Sequence, residues 1–172
     1  MKKFLFASMM LVALVSMTFT SCSKDDDDDP AMVGTWNCVD NNTNEWEEGY
    51  YSGYYQTRNV RETTNETWNL TLNSDGSGTL TRTGSYTKST STDDNVSWNL
   101  SYNFIYTIDP EKNDQYGNMR IAIVSVYPDP DKMEAKVRNH IGSVYTVGQQ
   151  IDQPFSVANN KLSILGHLFT RQ

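Results

Sequence analysis

The chain has 172 residues, with Lys+Arg 14 against Asp+Glu 21 and a formal net charge of −7. The length suits one domain, and the acidic balance excludes an ordinary nucleic-acid binder, which needs clustered Lys and Arg against phosphate. Aromatics make up 12% of the chain and each ring buries a large area, which argues against full disorder despite a mean hydropathy of −0.60.

The N-terminus comes first. Lys2 and Lys3 precede an apolar stretch from Phe4 to Val15 that is too short for a comfortable membrane span. Small and hydroxylated residues follow, ending Phe19-Thr20-Ser21-Cys22. Residues 1–21 therefore read as a cleavable signal peptide. The junction resembles that of a bacterial lipoprotein, in which the Cys thiol receives diacylglycerol and cleavage falls just before it. The resemblance implies lipidation of Cys22 and a membrane partner reached through its acyl chains, which bury in lipid at about 0.8 kcal/mol per CH₂. Residues 22–32 form the acylated Cys and a tether. Its Asp25–Asp29 run repels itself and stays extended, so Ser23 to Val33 spans at most ~35–40 Å. A Cys followed closely by Lys and an acidic run is similar to the signal that sends some lipoproteins to the outer face of the Gram-negative outer membrane. The expected location is thus the outer membrane facing the exterior, with the periplasmic face as the alternative.

Residues 33–172 read as one all-β domain. Thr, Ser and Asn are abundant, with Tyr 10, whereas Ala is scarce; such a composition starves helices and suits half-buried strands. We expect strands at 33–40, 53–61, 66–73, 78–88, 96–108, 119–127, 141–148, 154–158 and 161–170. The clearest period-two windows are Trp68-Leu70-Leu72 and Trp98-Leu100-Tyr102-Phe104-Tyr106. Met119–Tyr127 is more continuously apolar, so both its faces are expected to be covered. Hairpin chemistry stands at Asn73-Ser74-Asp75-Gly76-Ser77-Gly78 and Ala158-Asn159-Asn160-Lys161. Residues 90–95 read as a polar loop, and Asp129–Asn139 is the one segment that tolerates helix. Eight or nine sequential strands with short turns fit an antiparallel up-and-down barrel, with a β-sandwich as the alternative.

Gly34-Thr35-Trp36 opens the first strand and Arg171 closes the last. These residues, with the central hairpin, resemble the lipocalin-like domains of bacterial lipoproteins. The resemblance implies that Trp36 and Arg171 form a cation–π pair closing the barrel floor. It also makes the segment around Trp46–Tyr55 a first long loop, a lid at the open end.

Catalytic chemistry is poorly represented. His140 and His167 are the only histidines, and neither stands in a zinc-binding spacing. No Gly-x-Ser-x-Gly elbow occurs. Glu47-Glu48, Asp93-Asp94 and Asp129/Asp131 fall in polar stretches and do not suggest carboxylates across a cleft. Asn73-Ser74-Asp75-Gly76 lacks the downstream acid of a calcium loop, because Arg82 stands there. With Cys22 acylated, Cys38 has no disulfide partner and reads as a small buried hydrophobe. We therefore expect a non-catalytic protein with no cofactor and no metal. Two binding surfaces are open. Trp68, Leu70, Trp98, Leu100, Tyr102 and Phe104 would line a barrel interior holding a small apolar or amphipathic ligand. Alternatively, Trp46, Tyr50, Tyr51, Tyr54 and Tyr55 would stack on a glycan or a protein partner.

Overall fold

The computed structural model describes residues 30–109 and 115–172. The signal peptide, Cys22 and most of the tether lie outside the described residues. Eight antiparallel strands close into a barrel in sequential order. They are β1 (Gly34–Tyr51), β2 (Tyr55–Leu72), β3 (Ser77–Lys88), β4 (Ser91–Ile108), β5 (Tyr116–Tyr127), β6 (Gln150–Ala158), β7 (Lys161–Ile164) and β8 (His167–Arg171). The last strand meets the first through Trp36↔Arg171 and Asn37↔Thr170. This is the up-and-down barrel; the sandwich is set aside, since no edge is left to pack as a second sheet.

The alternation dictates which way each strand faces. Trp36, Leu70, Leu80 and Tyr102 stand level across β1–β4, and all four are buried. Between them run Thr71, Thr79, Thr81 and Asn103, which face outward. An apolar inside with Thr and Asn outside is the reverse of a lipid-facing barrel. Trp98 lies opposite Gly84 in the β3–β4 register, and its ring occupies the space where a Cβ at Gly84 would stand.

Several expected boundaries move. The strands expected at 53–61 and 66–73 are one continuous β2, and β1 runs on past residue 40 to Tyr51. The segment expected to be a lid loop is therefore the tip of a long hairpin. Its alternation is hidden because both faces are wet, so no apolar period marks it. The 90–95 loop shrinks to a tight turn, and 91–95 belong to β4. The expected strand 141–148 is instead the end of α1 (Ala135–Ile141) and an irregular stretch; a short 3₁₀ turn at Pro130–Lys132 precedes the helix. The span 161–170 breaks into β7 and β8 at Leu165 and Gly166, whose φ values of 56 and 79° turn the chain. Both faces of β5 are not covered, since Val124 and Tyr127 are exposed.

Candidate functional site

The barrel has a floor and a mouth. At the floor, the chain enters through Ala31–Val33. Met32 is fully buried, and its carbonyl accepts a hydrogen bond from Trp36 Nε1 at 2.8 Å. The Arg171 guanidinium lies 4.6 Å over the Trp36 ring and donates to the Val33 carbonyl at 3.2 Å.

The mouth is closed by the β5–β6 connection. β5 stops level with Ser101 and β6 begins lower, level with Ile105, whereas β1–β4 run on, so the connection crosses the opening and leans on the taller wall. Ile141 is buried there. The His140 ring packs 4.0 Å from Tyr86, and Tyr145 meets Tyr102 edge-on at 5.6 Å. Arg82 fastens this cap. It is 3% exposed. Its Nη1 donates to Ser143 O at 2.7 Å and its Nη2 to Ile141 O at 2.8 Å, while Nε donates to Glu66 Oε1 at 3.0 Å. The guanidinium also lies 4.0 Å over Trp68, and Trp98 Nε1 donates to the same Glu66 oxygen at 2.9 Å. One buried cation thereby joins β2, β3 and the cap.

Between floor and cap the interior is full. Trp68, Leu70, Trp98, Leu100, Tyr102 and Phe104 are all buried and belong to one core cluster. The space left among Leu80, Tyr102, Phe104, Ile121, Tyr145 and their neighbours is about 10 Å³, at the threshold for a single water. Burial pushes the hydroxyls of Tyr102 and Tyr145 up from their ordinary pKa. The six residues expected to line a ligand cavity pack against one another instead, because the cap contributes Tyr145 and Ile141 to the same volume.

Beyond the mouth β1 and β2 continue as a two-stranded arm, paired in register out to Tyr51↔Tyr55. From Gly34 to Tyr51 the strand extends roughly 55 Å at ~3.3 Å per residue. Its ion pairs explain the register: Arg58 Nη2 meets Glu48 Oε2 at 2.7 Å, and Arg61 pairs with Glu45, both across directly opposed positions. At the base, Lys88 Nζ sits 3.3 Å from Glu62 and 5.6 Å over the Trp46 ring. Tyr86 hydrogen-bonds Glu62, which holds that carboxyl below its ordinary range, with Lys88 adding to the effect. Burial and the same acid push the Tyr86 hydroxyl up to about 12.

The five arm aromatics do not share one face. Trp46 and Tyr50 follow the inward parity of the barrel, with Tyr50 under the Arg58 guanidinium at 5.3 Å. Tyr51 and Tyr55 oppose each other on the other face, and Tyr54 stands in the turn. These three are 79, 74 and 67% exposed respectively. The Tyr55 ring lies across Gly49, where a Cβ would run into its hydroxyl. A groove of about 530 Å³ is lined by Glu45, Trp46, Glu47, Asn59, Val60, Arg61 and Ser89. The sequence reading missed Arg58, Asn59 and Arg61 as members of this surface. The available signal was symmetry about Gly53: Glu48 and Arg58, like Glu45 and Arg61, stand equally far on either side of it.

Searches found no matching protein family, no match among curated proteins and none among solved structures. The fold and site therefore stand on their own geometry.

Proposed function

We propose that this protein is a lipid-anchored, non-catalytic recognition module that engages carbohydrate through the aromatic arm. The observation that carries the reading is the exposed tyrosine tip, Tyr51, Tyr54 and Tyr55, on an arm whose groove sets Trp46 among carboxylates, an amide and a guanidinium. Flat rings stack on sugar faces, and bidentate polar groups take hydroxyls. The filled interior supports an external site over an internal one.

The anchor fits the same reading. Cys22 carries the acyl chains, and the acidic tether leads to residue 30 at the barrel floor. The arm leaves from the opposite end, so the tip stands away from the membrane. In this reading the protein sits on the outer membrane facing the exterior, and its barrel is a lipocalin-like scaffold.

A glycan array probed with the wild-type chain and with Tyr51→Ala/Tyr54→Ala/Tyr55→Ala tests it. Binding to a defined set of polysaccharides that the triple variant loses is the expected result. An array with no binder, or equal binding by the triple variant, overturns it.

A further inference from the structure

The β1–β8 seam brings together three side chains that the arm does not use: Cys38 at the edge of the core cluster, and Asp40 and His167 beside it. Extending the register Trp36↔Arg171 and Asn37↔Thr170 by three residues brings Asp40 opposite His167. Cys38 and Asp40 are two apart on β1 and share the inward parity, so both turn toward the His167 side of the mouth rim. The side chains meet there. Asp40 Oδ2 lies 2.7 Å from His167 Nδ1, and Asp40 Oδ1 lies 3.6 Å from Cys38 Sγ. The three donor atoms all fall within 4.8 Å of one another.

We propose that Cys38, Asp40 and His167 form a binding site for a divalent transition metal, with Zn²⁺ the best match. Three observations carry this. The donor set is one thiol, one imidazole and one carboxylate, the mixed S/N/O chemistry that Zn²⁺ accepts and Mg²⁺ or Ca²⁺ does not. The spacing fits: tetrahedral Zn²⁺ with bonds of about 2.0–2.3 Å holds its ligands ~3.3–3.6 Å apart. Cys38 Sγ stands 3.6 Å from Asp40 Oδ1 and His167 Nδ1 faces the other carboxylate oxygen, Oδ2, at 2.7 Å; one donor atom from each residue lies within 4.8 Å of the others, so the three draw together by about an ångström at most as the hydrogen bond gives way to the ion. The ring is also held, because His167 packs 4.0 Å from Trp68 and edge-on to Phe169. Trp68 is in turn fixed under Arg82.

Access and charge agree with this assignment. Cys38 is buried, His167 is half-buried, and the Asp40 side chain is half-exposed, so an ion enters from solvent past Asp40. Three protein ligands leave a fourth position open to water. On binding, Cys38 gives its thiol proton to solvent. His167 binds as the neutral ring through Nδ1, with its proton on Nε2. Arg82, which packs on the same Trp68 ring as His167, is paired with Glu66 at 2.9 Å.

The test uses the full chain with Cys22→Ser, so that Cys38 is the one thiol. Zn²⁺ is titrated by calorimetry, and Co²⁺ by its thiolate charge-transfer absorption. The expected results are one ion per chain and a near-ultraviolet Co²⁺ band. Cys38→Ser should abolish that band. Asp40→Asn and His167→Gln, both outside the packed core, should each weaken Zn²⁺ more than about 100-fold, beyond the range of outer-shell changes. Circular dichroism confirms that each variant is folded. Co²⁺ binding without a thiolate band, Zn²⁺ affinity unchanged in Asp40→Asn and His167→Gln, or no binding at all overturns the site. The titration needs no carbohydrate, so its outcome is independent of the function of the arm.

Discussion

Replacing Arg82 by Met tests how the mouth is held shut. Met keeps an unbranched apolar stem over Trp68 but removes the guanidinium. Two cap carbonyls, Ile141 O and Ser143 O, lose their donors, and Glu66 loses its counter-charge. Breaking a buried ion pair on one side costs about 3–5 kcal/mol. Glu66 keeps the Trp98 N–H and is 13% exposed, so the cost falls in the lower part of that range, about 3–4 kcal/mol. For a domain of this size that is a melting-temperature loss of roughly 10–15 °C. Urea unfolding followed by tryptophan fluorescence measures it. Adding Glu66→Gln should recover about 1–3 kcal/mol of coupling, because the stranded charge is gone. Amide exchange should accelerate first at 141–145, the segment Arg82 fastens. A loss under about 1 kcal/mol, or a double variant no better than the sum of its parts, would refute the reasoning.

Other consequences follow from the same geometry. Tyr51→Ala/Tyr54→Ala/Tyr55→Ala changes only exposed rings, so each site should alter stability by less than about 0.5 kcal/mol in chemical unfolding while carbohydrate binding is lost. Gly49→Ala should displace the Tyr55 ring, a flexible neighbour; calorimetry should show weakened binding at nearly unchanged melting temperature. Tyr145→Ala removes a half-buried ring beside Tyr102 and should cost about 1–3 kcal/mol while opening a pocket that xenon or benzene enters, visible by crystallography. Glu62 has its folded pKa lowered by Tyr86 and then Lys88. Its stabilisation is therefore present above the ordinary value of 4.5 and is lost as pH falls through the lower folded value. Melting curves of wild type and Glu62→Gln should differ at neutral pH and converge in acid.

The barrel was legible wherever one strand face is wet and the other dry. Trp68-Leu70-Leu72 and Trp98 to Tyr106 alternate cleanly because Thr, Asn and Ser separate them, and the hairpin at Asn159-Asn160 follows from two residues that accept positive φ. The arm was hidden for the opposite reason. Once β1 and β2 leave the barrel, Val60 alone is buried, so the period that reveals a strand vanishes although the pairing continues. The cap misled the reading because Ile141, Val144 and Tyr145 are apolar enough to pass for a strand while serving as a plug. Its fastener, Arg82, is a single basic residue at an inward position of β3, and only the carbonyls and Glu66 around it give it meaning. The seam cluster joins residues more than a hundred positions apart and needs barrel closure to exist.

The central claim is that recognition happens on the arm and not inside the barrel. Tyrosine- and tryptophan-labelled protein titrated with the strongest array polysaccharide in an NMR experiment tests it most directly. The account predicts shifts at Tyr51, Tyr54 and Tyr55, a smaller one at the Trp46 indole, and none at Trp68 or Trp98. Shifts at Trp68 and Trp98 with a silent arm would contradict it and move the binding site to the interior.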